Sequence, residues 1–106
     1  MKRGEVWWAN LPTPWGRRPV LLLSRDEAYE FLTWVIVAPL TSTIRNIPTA
    51  VTLTPRDDGV PQPCAVYLDN MQAVNKSWLD VPMISLHPDK MTAVERAIHF
   101  TLSLRE

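Results

Sequence analysis

A chain of 106 residues, 46% of them apolar and 21% charged, has material for one hydrophobic core and is too apolar for a disordered tail. Lysine and arginine number 11 and so do aspartate and glutamate, which excludes a general basic coat and leaves any phosphate-binding surface to local charge. The single cysteine, Cys64, excludes an intramolecular disulfide and, with no clustered histidines beside it, a structural zinc site.

Ten prolines against three glycines cut the chain into short pieces. Glu5 to Leu11 alternates loosely and predicts a strand that sends Trp7 and Trp8 to opposite faces. Pro12, Pro14 and Gly16 then force a turn with Trp15 at its tip. Pro19 to Ser24 carries Val20-Leu21-Leu22-Leu23, the run of a strand buried on both faces. Arg25 to Leu32 reads as a short helix or turn, and Trp34 to Leu40 as a second central strand ending at Pro39, which lacks a ladder donor.

Pro48 to Leu53 alternates as a half-exposed strand, Pro55 to Pro63 reads as a loop, and Cys64 to Leu68 and Met71 to Asn75 are strands separated by Asp69-Asn70. Leu79 to Leu86 predicts an irregular strand interrupted by Pro82. From Pro88 the period changes: Met91, Val94, Ile98 and Leu102 form an amphipathic stripe, predicting a helix to about Leu104 with Pro88 in its first turn and Asp89 favoured by the dipole. Most of the five tryptophans are expected in the core.

These elements predict a mainly β fold with a C-terminal α-helix: one domain over residues 1–106, built as a bent antiparallel sheet or partly closed barrel. No apolar stretch approaches the roughly 20 residues that cross a bilayer, and Met1 to Glu5 lacks a signal-peptide segment. A soluble cytoplasmic protein is expected, with no membrane partner.

Chemistry concentrates at strand ends. Lys2, Arg3, Arg17, Arg18 and Arg25 face only Glu5 within the first 25 residues, whereas acids prevail later in Asp57, Asp58, Asp69, Asp80, Asp89 and Glu95. Arg18 precedes Pro19 and is biased toward extended backbone, which fixes the exit of a guanidinium able to grip a phosphate through two hydrogen bonds; its plain alternative is a surface turn. Thr41 and Ser42, with Thr43, follow Pro39-Leu40 and suit either a ligand oxygen or local capping. Asp69-Asn70 is either a turn or a carboxylate and amide that orient Arg18 and read a base. Trp15, beside Arg17-Arg18, suits stacking on an unpaired base or anchoring its own loop. His87 reads as a helix entry, and no Ser-His-Asp order, phosphate-cradling glycine loop or metal cluster appears, so no cofactor or metal is expected.

The order of the signatures is more specific than any one of them. Lys2-Arg3-Gly4-Glu5-Val6-Trp7, Gly16-Arg17-Arg18-Pro19-Val20, Ala38-Pro39-Leu40-Thr41-Ser42, Leu68-Asp69-Asn70 and Val74-Asn75-Lys76-Ser77-Trp78-Leu79 resemble the MazF/PemK toxin family over essentially the whole chain. The resemblance implies an SH3-like barrel of the MazF/PemK/CcdB kind, assembled as a homodimer. It implies a sequence-specific, ribosome-independent endoribonuclease acting on single-stranded RNA without metal, through the 2'-hydroxyl, and paired with an antitoxin protein. Arg18 and Thr41 match the catalytic arginine and threonine. Trp15, Arg17, Ser42, Asp69 and Asn70 are the implied RNA-binding set, with Asn70 where glutamine is more usual. The longer first loop of the family, with a Gly-Ser-Glu type segment, is cut here to Leu11-Pro12-Thr13-Pro14-Trp15. An acidic antitoxin segment opposing Arg17, Arg18 and Arg25 fits the charge pattern. The competing class is a CcdB-like toxin that grips a protein such as gyrase and cuts nothing.

Overall fold

The computed structural model describes residues 1–104, in the order β1 (Glu5–Asn10), β2 (Arg17–Leu22), α1 (Ala28–Phe31), β3 (Trp34–Thr41), β4 (Ala50–Leu53), α2 (Pro55–Asp58), β5 (Cys64–Tyr67), β6 (Gln72–Asn75), β7 (Leu79–Ser85) and α3 (Pro88–Thr101). Two single 3-10 turns, Leu68–Asn70 and Lys76–Trp78, link β5 to β6 and β6 to β7.

Every strand pairing is antiparallel. The order runs β4-β5-β3-β2-β1-β7, with β6 also on β3, and the expected barrel stays an open seven-stranded sheet. Strand β3 organises it. One edge pairs with β2 through Val20–Pro39, Leu21–Ala38 and Leu22–Val37. The other takes β6 along Trp34 to Val37 and β5 along Leu40 and Thr41. The Leu68–Asn70 turn therefore falls beside the gap between those two ladders.

Val20, Leu21 and Leu22 are each 0% exposed because the sheet carries a core on both faces. The larger core places Leu21, Leu40, Leu53, Val66 and Leu68 with Met91, Val94 and Ala97 of α3. The smaller gathers Ala9, Val20, Leu22, Val37 and Val74 with Tyr29, and Trp7, Trp15 and Trp78 pack against it. Thus Trp7 and Trp8 do part to opposite faces: Trp7 joins the smaller core, while Trp8 borders a cavity beneath Met83 and Val60. As predicted, β7 is irregular, with register breaks against β1 at Val6/Trp7 and Trp8/Ala9.

Three elements depart from expectation. Trp34 and Ile36 are 52% and 49% exposed, since α3 packs over β4 and the Leu68–Asn70 turn and leaves the first half of β3 uncovered. The Pro55–Pro63 loop contains a helical turn, α2: Thr54 Oγ1 caps it by accepting from Asp57 N at 3.1 Å, and Gly59 ends it in the left-handed region at φ 79. Its Asp58 side chain, 2% exposed, accepts from Thr54 N at 2.9 Å and lies 3.5 Å from Lys90 Nζ, which ties α2 to α3. Finally, α3 stops at Thr101 rather than Leu104, with Leu102 as its C-cap. His87 is its N-cap, accepting from Asp89 N at 3.1 Å.

Tyr29 closes the smaller core, donating its hydroxyl to Ser24 O at 3.1 Å, and burial pushes its pKa up to about 12. Between pH 10 and 12 an unfolded tyrosine has lost its proton while this folded one keeps it, so stability falls as pH rises through that window. Urea unfolding midpoints should decline more steeply with pH there for the native chain than for Tyr29→Phe; equal slopes would remove Tyr29 as the cause.

Candidate nucleic-acid interface

The start of β2 and the end of β3 meet at one end of the sheet. The β2–β3 ladder ends at Val20–Pro39, so Arg18 and Thr41 each lie two residues beyond its last pair, Arg18 on β2 and Thr41 paired instead with Ala65 of β5. A cavity of about 140 Å³ crosses this end, bordered by Pro19 on one side and Thr41 and Ser42 on the other, with Trp8, Gln62 and Cys64 in its wall. Arg18 is not in that lining; it faces the loop before β2.

That loop is short and internally bonded. Leu11 N donates to Gly16 O at 3.1 Å and Trp15 N to Pro12 O at 3.0 Å, with Gly16 at φ 66, a conformation that Cβ-bearing residues rarely adopt. The result is a fixed seat for Arg18. Its Nε donates to Trp15 O at 2.9 Å, and its guanidinium carbon lies 5.3 Å from the Trp15 ring centroid. One edge of the fork is thereby anchored to the protein and the two terminal nitrogens are left for a ligand.

Thr41 is prepared in a complementary way. Its Oγ1 accepts from Thr43 N at 3.2 Å, which fixes the rotamer and leaves the hydroxyl proton to donate. The capping and ligand-binding alternatives for this residue are therefore compatible. Thr41 also borders a second, open cleft of about 280 Å³, shared with Thr43, Arg45, Tyr67 and Asn70. Tyr67 secures its wall by donating its hydroxyl to Thr43 O at 2.6 Å.

The remaining predicted residues divide. Ser42 lies in the apolar cavity and Asn70 in the open cleft, on either side of Thr41. Asp69 is exposed in the same turn as Asn70 and, among the described residues, forms no ion pair, so it does not orient Arg18. Arg17 points away from Arg18, as alternation along β2 requires. It donates to Asn10 Oδ1 at 2.9 Å and to Asp80 Oδ2 at 2.7 Å, with its guanidinium 5.3 Å from the Trp8 ring centroid. Asp80 already answers its charge. Arg25 lies 3.9 Å from Glu27 with both side chains exposed, so among the three arginines set against an antitoxin segment Arg18 is the one without an ion pair among the described residues. Trp15 is a loop anchor and not an open stacking platform, because its ring packs on the smaller core and carries Arg18.

Sequence reasoning missed Tyr67 and Arg45. Tyr67 sits inside an apolar strand where an aromatic reads as core, and Arg45 in a segment without periodicity. Cys64, in the cavity wall, has its thiol pKa raised by burial first and by Asp58 second, which keeps it protonated and a packing residue. Among the described residues no His, Cys, Asp or Glu cluster of metal-binding geometry occurs, and no helix is long and apolar enough to cross a membrane.

Comparison with known proteins agrees with this architecture. The probable endoribonuclease MazF5 of Mycobacterium tuberculosis is 41% identical over 96 residues, covering 91% of this chain and 87% of that protein. The solved structure of the Mycobacterium tuberculosis toxin MazF-mt6 superposes with a TM-score of 0.86 at 31% identity, over 96% of this chain and 99% of that one. A mycobacterial endoribonuclease in complex with its cognate antitoxin gives a TM-score of 0.86 at 27% identity, over 100% and 98% of the two chains. Residues 2–102, which span every strand and helix described above, match the family as a unit, and the chain belongs to the PemK-like, MazF-like toxins of type II toxin-antitoxin systems.

Proposed function

We propose that residues 1–106 form one toxin domain that acts in the cytoplasm as an endoribonuclease on single-stranded RNA, the activity its relatives are named for. The observation that supports the reading is the presence, just beyond the last β2–β3 pair, of two prepared groups: Arg18, held by Trp15 with its terminal nitrogens open, and Thr41, held by Thr43 N with its proton available. Such a pair suits a phosphodiester, whose non-bridging oxygens accept from both a guanidinium and a hydroxyl.

RNA supplies its own nucleophile in the ribose 2'-hydroxyl. Its oxygen attacks the adjacent phosphorus and passes its proton to solvent water, the bond to the 5'-oxygen breaks, and that oxygen takes up a proton from solvent, so that the products are a 2',3'-cyclic phosphate and a 5'-hydroxyl. Arg18 neutralises the charge that develops on the equatorial oxygens and can hydrogen-bond the departing 5'-oxygen. Thr41 fixes one non-bridging oxygen. Both contacts strengthen as the phosphorane forms, which makes them catalytic rather than merely adhesive.

Ser42 and Asn70, flanking Thr41, suit contacts to the neighbouring nucleotides. The likeness to a toxin–antitoxin complex supports a cognate antitoxin as the protein partner, and the family supports a homodimer.

Incubation of the purified protein with a long single-stranded transcript in excess EDTA should give discrete fragments ending in 2',3'-cyclic phosphate. Thr41→Ala should weaken the pattern without altering the cut sites. Intact RNA under these conditions, with gyrase inhibited instead, would overturn the reading in favour of a protein-gripping toxin.

A further inference from the structure

Arg45 is the unassigned cation of this surface. It lies between β3 and β4, exposed, and lines the open cleft with Thr41, Thr43, Tyr67 and Asn70. The other arginines near the strand ends have partners within the chain: Arg17 pairs with Asp80, Arg18 is anchored through Nε to Trp15 O, and Arg25 comes within 3.9 Å of Glu27. Among the described residues no carboxylate, carbonyl or ring engages the Arg45 guanidinium.

The segment that carries it is pinned on both flanks. Tyr67 grips Thr43 O on one side, and Ala50 N donates to Ile47 O at 3.1 Å on the other, with Pro48 limiting the chain between. An exposed guanidinium beside the three hydroxyls of Thr41, Thr43 and Tyr67 and the Asn70 amide is a site for an oxyanion.

We propose that Arg45 is a second phosphate-binding residue, gripping the RNA backbone at a linkage neighbouring the one held by Arg18 and Thr41. The assignment rests on the nuclease reading. The strand would then cross Thr41, which borders both depressions, and lie along the open cleft with its bases free to meet Asn70. Because Arg45 acts on a phosphate that does not react, its contribution is equal in ground and transition states, and its loss falls on KM rather than kcat.

The test measures KM on a long transcript, and Kd for a fully 2'-O-methylated single-stranded oligoribonucleotide that binds without being cut, across a KCl series. Arg45→Ala should raise both constants about tenfold and flatten the slope of log Kd against log salt by about 0.7, one phosphate contact on a single strand. Arg45→Lys keeps the point charge and should restore most of that slope. An unchanged slope and KM in Arg45→Ala, with native cleavage intact, overturns the assignment alone. A native protein that does not cut overturns the nuclease reading instead, and the Kd slope still decides whether Arg45 meets a phosphate.

Discussion

Replacing Arg18 with alanine is expected to slow RNA cleavage by roughly 100- to 1000-fold, the cost of removing one preorganised donor aimed at developing charge. The geometry makes this the most consequential substitution at the site. Nε is spent on Trp15 O and the plane of the group lies against the indole, so the orientation of the two open nitrogens is set before substrate arrives. Lysine in its place keeps a charge but has neither the Nε anchor nor the fork, and should recover only part of the rate. Single-turnover cleavage under saturating RNA isolates the effect, with circular dichroism confirming the fold. A half-exposed side chain outside the two cores should alter melting little. Cleavage by Arg18→Ala at near-native rate would end Arg18's catalytic role.

A second large effect is expected from Leu68→Ala, through stability. Leu68 is 0% exposed in the larger core, where the Leu68–Asn70 turn meets α3, and truncating a buried leucine costs roughly 2 to 5 kcal/mol through lost transfer energy and the cavity left behind. Against a total of about 5 to 15 kcal/mol for a typical domain, that is a large share. Leu68 N also donates to Thr49 O at 2.8 Å, so the residue fixes the turn that presents Asn70. Urea unfolding should show a midpoint lowered in proportion, with an unchanged slope. A loss well under 1 kcal/mol would mean that the core collapses around the gap.

The sequence was most legible where local pattern and tertiary environment agree. Val20 to Leu22 reads as doubly buried because no residue in it tolerates water, and α3 reads from its three- and four-residue spacing. Thr54-Pro55 with Gly59 carried the signal of a capped turn, obscured by the surrounding prolines and aspartates. Side-chain commitments were another matter. Nothing near Arg17 indicates Asp80, which lies 63 positions away and arrives only because β7 pairs with β1. Trp15 looked exposed between Pro14 and Gly16, yet the loop packs its half-buried ring against the smaller core. That Arg18 and Thr41 both lie just past the β2–β3 ladder depends on a strand register that no short window reports. Arg45 lacked both periodicity and a family role, and only the cleft reveals it.

The position of β3 has a consequence for how the protein fails. Three ladders hold this strand, and its last residue, Thr41, pairs with Ala65 of β5, so the candidate hydroxyl is attached to a strand tied into most of the sheet. Heating should therefore abolish RNA cleavage together with the global melt, and not by an earlier loosening of the site, since local opening is drawn from weakly held segments and β3 is paired with three other strands.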